Sequence, residues 1–201
     1  MRNVTQTIPV FSWSELSDKV KDETRHEYLE YAAGDWWDHV YNDFSLAAAK
    51  LGFDVSHDDI AFSGFCSQGD GASFKGYWEA SKLDVDAVFD YAPYDKELHK
   101  IAYGFAALVK EHGHGLQCHV SRMPSRYSHD KTIWCHGSWQ GCGGDLGPDT
   151  DDLLTDYTQR LARWLYAQLE AEHDELLSDD RIAELCRDRG WEFYADGRMF
   201  N

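Results

Sequence analysis

Basic residues are scarce in this chain. Its 201 residues include 36 Asp and Glu but only 19 Lys and Arg, which gives a formal net charge of -17. Proteins that hold a nucleic-acid backbone neutralise its phosphates with Lys and Arg. A surface this negative repels phosphates and attracts basic partners. We therefore expect no direct contact with DNA or RNA.

Long apolar runs and a regular cysteine pattern are also missing. No segment approaches the roughly 18 consecutive apolar residues of a membrane-spanning helix, and residues 1–5 lack the apolar core of a signal peptide. The five cysteines are an odd number at irregular spacing. They are more typical of buried thiols in a reducing compartment than of a disulfide framework. We predict a cytoplasmic protein without membrane contact.

The apolar content that is present predicts a folded protein. The chain is 43% hydrophobic and 14% aromatic, which is far above the composition of a disordered acidic tail. Its length fits one domain, so we predict a single α+β domain over residues 1–201. A glycine-rich stretch at 141–148 is predicted to be a flexible connector inside it.

The strand predictions come in adjacent pairs, which favours an antiparallel sheet packed against amphipathic helices. Residues 58–66 and 72–80 form the first predicted pair and residues 116–122 and 131–139 the second. A short edge strand is expected at 4–10. The tail from Trp191 reads as a strand that enters an Asp-Gly turn.

Apolar periodicity and capping residues predict the helices. A long C-terminal helix is predicted at 151–176. Ser12 and Glu15 have capping-box spacing at the start of a helix that Gly34 ends, and Asp35 is the predicted N-cap of the next. The other predicted helices cover 84–91, the residues from Pro93 to Gly113, and the residues from Ser178 to Gly190.

The charge is concentrated towards the C-terminus. Residues 143–158 contain five aspartates and residues 165–180 contain six carboxylates, with no Lys or Arg in either stretch. Residues 114–140 carry Arg122, Arg126 and Lys131 against a single Asp130, together with four histidines. The acidic stretches fit either a solvated helix face or a surface that docks on a basic groove of another protein.

Three kinds of chemistry were weighed against simpler structural roles. Cys118, Cys135 and Cys142 lie near histidines, but no zinc-binding spacing is present, and strand alternation makes Cys118 and Cys135 small core residues. The sequence does not position any histidine as a general base beside Cys66, so a cysteine nucleophile has little support. Asp70 could present a carboxylate to a metal ion, although Asp in a Gly-Asp-Gly turn usually serves the turn itself. We predict no cofactor, no metal site and no enzymatic activity.

An aromatic binding surface is a further possibility. Trp78, Tyr127, Trp134 and Trp139 fall on or near the predicted strand pairs. Exposed aromatic side chains beside Arg and His residues are typical anchors at protein interfaces. Ordinary packing in the core or at a sheet edge explains the same pattern. The sequence leaves both interpretations open.

One segment resembles a known family. The stretch 62–76, Phe-Ser-Gly-Phe-Cys-Ser-Gln-Gly-Asp-Gly-Ala-Ser-Phe-Lys-Gly, is similar to the hallmark segment of small acidic proteins from bacteriophages and mobile elements, some labelled antitoxin-like. The resemblance extends to residues 11–17, 35–51, 91–99, 164–166 and 195–198. Cys66 departs from the family pattern, in which this position is often aromatic. We refer to residues 62–76 as the hallmark segment.

The resemblance implies a phage setting, in which small acidic proteins are often inhibitors of host defence. Together with the charge, it predicts a non-enzymatic inhibitor, most concretely an anti-CRISPR, that binds a basic nucleic-acid-binding host protein such as a CRISPR effector subunit. The alternatives are an antitoxin and a metal-dependent hydrolase or nuclease that uses Asp70. The oligomeric state stays open. The predicted binding residues are Gln68, Asp70, Trp139, Asp149, Asp151 and Asp152.

Overall fold

A computed structural model describes residues 6–32, 34–141 and 143–200, with the backbone alone for 26–32. The described residues form six α-helices: α1 Asp18–Ala32, α2 Asp38–Lys50, α3 Val85–Tyr91, α4 Lys96–His112, α5 Pro148–Leu176 and α6 Asp179–Arg189. They also form eight strands: β1 Phe53–Asp54, β2 Ile60–Ser63, β3 Gly71–Phe74, β4 Gly76–Glu79, β5 Leu116–Arg122, β6 Ile133–Trp139, β7 Glu192–Phe193 and β8 Met199–Phe200. The predicted α+β class and the long C-terminal helix are confirmed.

The chain divides into two compact units. Residues 37–170 form the larger unit, and residues 1–36 with 171–201 form the smaller one. The smaller unit has its own core of Trp13, Leu16, Ile182, Cys186 and Phe193. Phe11 pairs with Phe193 in this unit, whereas residues 6–10 form no strand. The edge strand predicted at 4–10 is therefore wrong over its described part.

The larger unit contains a four-stranded antiparallel sheet in the order β1-β4-β5-β6 and a separate hairpin of β2 and β3. Antiparallel pairing of β5 with β6 confirms the second predicted strand pair. The first predicted pair is only partly correct, because the strand expected at 72–80 breaks at Lys75. Its first half pairs with β2, and its second half joins β1 and β5.

Gly76 explains this break. A Cβ at Gly76 would lie 2.5 Å from the carbonyl oxygen of Asp54, so the backbone of β4 can approach β1 only without a side chain there. Just before it, the Lys75 amide donates to the Asp59 carbonyl oxygen at 3.1 Å. All four residues of β3 are buried, so this strand has no exposed face.

Side-chain caps mark the starts of three of the six described helices. Asp84 accepts a hydrogen bond from the Ala87 amide at 2.9 Å, and Asp95 accepts one from the Leu98 amide at the same distance. Ser178 caps α6, which ends at Gly190 in the left-handed conformation, as predicted. Asp35 is not the N-cap of α2, which begins after Trp37. Glu15 accepts from the Ser12 amide, but this caps the short 3₁₀ turn Trp13–Glu15 and α1 begins only at Asp18.

Candidate functional site

The loop of the hallmark segment is organised by Asp70. Its Oδ2 accepts hydrogen bonds from the backbone amides of Cys66 at 3.0 Å and Ser67 at 2.6 Å. A Cβ at Gly64 would lie 2.8 Å from the same oxygen, and Gly64 has a φ of +33°. The carboxylate therefore serves the turn. Gln68 is exposed at the tip of this loop, and Cys66 is exposed beside it.

The same loop packs on α5. The Phe65 ring stacks on the Tyr166 ring with a centroid separation of 5.4 Å, and the Tyr166 hydroxyl donates to the Gly64 carbonyl oxygen at 3.0 Å. Partial burial raises the pKa of Tyr166, with smaller contributions from the nearby charges of Glu170 and Asp70. The phenol therefore remains protonated and can act as the donor of this bond.

A second loop, residues 123–129, lies directly on the hallmark segment. The Ser63 hydroxyl donates to the Ser128 carbonyl oxygen, and the Ser128 amide donates to the Ser63 Oγ, both at 3.1 Å. A Cβ at Gly71 would lie 2.6 Å from the Cβ of His129 and 2.9 Å from its Cα. Only glycine fits at position 71 without moving the loop.

The first turns of α5 cover the edge of the four-stranded sheet. Strand β6 is an edge strand, and three polar side chains of α5 bind its backbone. Asp151 Oδ1 accepts from the Gly137 amide at 2.8 Å, and Thr155 Oγ1 accepts from the Cys135 amide at 3.0 Å. Gln159 Nε2 donates to the Ile133 carbonyl oxygen at 3.1 Å. We call these three side chains the edge latch.

The spacing of the edge latch follows from element geometry. Its members are four residues apart on the helix, a rise of about 6 Å, while their partners are two residues apart on the strand, a rise of about 6.6 Å. The two repeats therefore stay in register over three contacts. Uncovered edge strands present unpaired backbone groups, and a helix laid along the edge removes them.

The outer face of the same helix is acidic. Asp149, Asp152, Leu153 and Asp156 are spaced i, i+3, i+4 and i+7, so they share one side of α5. Asp149 and Asp152 are exposed and make no ion pair in the described part of the chain. Leu153 is 43% exposed beside Asp149. We call these four residues the acidic face.

The larger unit also matches a known family model. The model is described as a domain of unknown function, DUF8835, and it matches residues 36–179, well over half of the sequence. The chain belongs to the DUF8835 family. Neither the curated proteins nor the solved structures contain a match.

The DUF8835 match includes the hallmark segment, the edge latch and the acidic face. Residues 11–17 and 195–198, which also carried the resemblance in the sequence, lie outside it. The family description states no activity, so the phage setting stays a prediction.

The predicted aromatic surface is divided in the structure. Trp78 is fully buried and donates from Nε1 to the Leu51 carbonyl oxygen at 2.8 Å. Trp139 is half-buried at the end of β6. Trp134 is 46% exposed and Tyr127 is 38% exposed. Trp78 is therefore a core residue, while Trp134 and Tyr127 are available at the surface.

Trp134 lies beside a cluster of one histidine and two aspartates. His136 follows it by two residues on β6 and so lies on the same side of the strand. The His136 ring nitrogens are each 3.5 Å from a carboxylate oxygen, one of Asp145 and one of Asp151. A surface of one aromatic ring, one imidazole and two carboxylates thus runs along β6 to the first turn of α5.

The cysteines of the sheet are core residues, as predicted. Cys118 and Cys135 are 1% and 5% exposed on neighbouring strands. The pKa of Cys118 is raised well above its ordinary value, mainly by a hydrogen bond with Cys135 and secondly by burial of the thiol. Cys142 lies outside the described residues. In the described part of the chain, no three His, Cys, Asp or Glu side chains are grouped so that they could hold a metal ion. No described helix has the length and apolarity needed to cross a membrane.

The six predicted binding residues thus separate into two places and several roles. Gln68 and Asp70 are in the hallmark loop, and the other four are at the end of β6 and the start of α5. Asp70 and Asp151 accept backbone hydrogen bonds, whereas Gln68, Asp149 and Asp152 are exposed and have no partner among the described residues. The sequence reasoning missed Thr155 and Gln159. Their signal was a polar stripe at i+4 and i+8 from Asp151, adjacent to the apolar stripe of α5.

Proposed function

We propose that this chain is a non-enzymatic binding protein whose acidic face docks on a basic, nucleic-acid-binding surface of a host protein. The observation that carries the proposal is the acidic face itself. Asp149 and Asp152, which make no ion pair within the described residues, lie beside an exposed apolar side chain on a helix that the edge latch joins to the sheet. The most concrete version is a phage-type inhibitor of host defence that binds a CRISPR effector subunit.

The physics of such docking assigns different tasks to the two kinds of residue. Exposed carboxylates that are not paired internally can steer a basic partner and raise its association rate. Burial of Leu153, and of Trp134 if the contact extends along β6, would supply affinity. Asp156 contributes less, because Arg160 already binds it at 2.7 Å. Mimicry of a phosphate backbone by carboxylates is consistent with the net charge of -17.

The test compares two double charge reversals of equal size. In Asp149→Lys/Asp152→Lys the acidic face is reversed, and in Asp86→Lys/Asp90→Lys two exposed aspartates of α3 are reversed as a matched control. Each tagged protein is used to capture partners at low salt from the lysate of a defence-proficient bacterium. We expect the wild type and the α3 variant to recover a basic nucleic-acid-binding protein, and the α5 variant to lose it, with association to the purified partner slowed about tenfold or more.

Three results would contradict the proposal. Recovery of no nucleic-acid-binding protein by the wild type would remove its basis. Equal loss in both variants would show that total charge, and not the acidic face, governs binding. Specific recovery of one small toxin encoded nearby would establish the antitoxin alternative instead.

A further inference from the structure

A pocket with only cationic charge lies beside the hallmark segment. It has a volume of about 360 Å³ and is lined by Lys75, Arg122 and the loop residues 123–125 and 127–128. No Asp or Glu is among these lining residues. A pocket with two cations and no carboxylate is unexpected in a chain whose net charge is -17.

Arg122 is incompletely satisfied in this pocket. Its Nη1 is buried and has no hydrogen-bond partner, and no ion pair involves Arg122 within the described residues. An arginine side chain has five N–H donors and cannot become neutral by losing a proton. Leaving a charged donor buried without an acceptor is costly. Within the described residues the other guanidinium donors of Arg122, which lines the pocket, have no acceptor either, so they are available to an anion in the pocket. Nearby, burial raises the pKa of Tyr41 to about 12, and the charge of Arg122 acts against that rise.

The other polar groups of the pocket also retain donors. Lys75 Nζ is 3.5 Å from the Asp59 carboxylate and its side chain is 50% exposed, so this single contact leaves ammonium protons available. The Ser125 Oγ accepts a hydrogen bond from the Tyr127 amide at 3.2 Å, which leaves its hydroxyl proton free to donate. Lys75, Arg122 and Ser125 therefore bring donors from three separate positions of the chain to one cavity.

We propose that the Lys75–Arg122 pocket binds the phosphate group of a small phosphorylated molecule. A guanidinium fork together with an ammonium and a hydroxyl suits an anion with several acceptor oxygens. The volume is at the lower end of the range for small-molecule sites, about 300–1,000 Å³, so there is room for more than inorganic phosphate. Met123, Pro124 and the Tyr127 ring provide the apolar wall for the organic part.

The proposal gives the hallmark segment a role. Lys75 belongs to the segment and contributes one cation. Ser63 and Gly71, also in the segment, hold the 123–129 loop that forms the rest of the wall. Gly69, with a φ of +98°, lies under the Tyr127 ring, where a Cβ would be 3.7 Å away. This role is independent of the acidic face.

The test is a titration of the full-length protein with inorganic phosphate, phenyl phosphate and acetate at constant ionic strength, followed by calorimetry and by backbone amide shifts of residues 122–128. We expect phenyl phosphate to bind more tightly than inorganic phosphate, and acetate to bind least. Arg122→Gln should weaken phenyl phosphate binding at least about tenfold, as expected for loss of a charged hydrogen bond. Lys110→Gln, an equal charge change at an exposed position of α4, should leave it unchanged.

Each outcome decides for or against the pocket. Absence of phosphate binding, equal binding of acetate, or equal weakening by Lys110→Gln would overturn the proposal. If Arg122→Gln does not fold, Lys75→Gln and Ser125→Ala replace it, and unchanged binding in both would also overturn it. Asp149→Lys/Asp152→Lys should still bind phenyl phosphate, so failure of the docking proposal and failure of the phosphate proposal are distinguishable.

Discussion

Two neighbouring aspartates of α5 should respond very differently to the same substitution. Asp151 is a member of the edge latch, and Asp152 is on the acidic face. Asp151→Ala and Asp152→Ala remove the same charge from adjacent positions in the first turns of one helix. Any difference between them therefore reports the contact that Asp151 makes with β6, because net charge and helix-dipole effects are nearly equal.

The expected magnitude follows from the contact. The buried Gly137 amide donates to a carboxylate at 2.8 Å, and a hydrogen bond to a charged group contributes about 1.5–3 kcal/mol. The contact of Asp151 with His136 adds little, because the imidazole is half exposed. Ala has a higher helix propensity than Asp, and this offsets up to about 0.7 kcal/mol of the lost unfolding free energy. Asp151→Ala should thus lower the free energy of unfolding by about 2 kcal/mol, and Asp152→Ala should change it by less than about 0.5 kcal/mol.

Urea unfolding followed by circular dichroism measures both changes, and thermal unfolding provides a second estimate. A loss of about 2 kcal/mol corresponds to a fall in Tm of about 4–8 °C for a chain of this size. Asp151→Asn keeps a carbonyl acceptor for the Gly137 amide, so its loss should be intermediate. Hydrogen exchange at Gly137 should accelerate in Asp151→Ala alone. Equal losses in the two Ala variants, or an unchanged Gly137 exchange rate, would refute the edge latch.

Two further predictions concern other parts of the molecule. Gly71→Ala should destabilise the larger unit by about 1–3 kcal/mol, because the new Cβ would overlap His129. Gly115→Ala is the control and should be tolerated, since its Cβ would be 3.7 Å from Trp139. Thermal unfolding compares the two variants, and equal stabilities would contradict the close approach at Gly71. In the smaller unit, partial burial pushes the pKa of Asp179 up, but Arg25 and Lys21 lower it below its ordinary 3.8 overall. The Asp179 carboxylate therefore stabilises the fold fully above its ordinary pKa and ceases to do so as pH falls through its lower folded pKa. Asp179→Asn should be less stable than the wild type at neutral pH and equal to it in strong acid, as measured by unfolding at both pH values.

Local signals in the sequence were sufficient to locate the helices, although they misplaced the starts of α1 and α2. Asp95 and Gly113 bound α4 because a cap depends on residues only three or four positions away. The predicted start of the helix at 151–176 lies within three residues of the start of α5, because apolar periodicity is also a local signal. Asp35 was misread as a cap because a single suitable side chain does not specify where the first turn forms.

Long-range pairing is what the sequence could not supply. The break at Lys75 depends on Asp54 and Asp59, which contact the strand from other elements. A strand's register and partners are set by tertiary packing, and β-propensity alone does not distinguish one continuous strand from two. The sequence does not predict the edge latch for a similar reason. Thr155 and Gln159 are ordinary helix residues by sequence, and their role depends on β6 lying beside them.

The two proposals depend on electrostatics of opposite sign, so ionic strength separates them. Docking of the acidic face on a basic partner joins exposed opposite charges, and added salt screens that attraction. A phosphate group that enters the Lys75–Arg122 pocket must first approach a chain of net charge -17. Salt screens this long-range repulsion more than the short contacts made inside the pocket. Rising salt should therefore weaken the first association while it leaves the second unchanged or strengthens it. If one acidic surface bound both the basic partner and the phosphate compound, added salt could not weaken one association and strengthen the other.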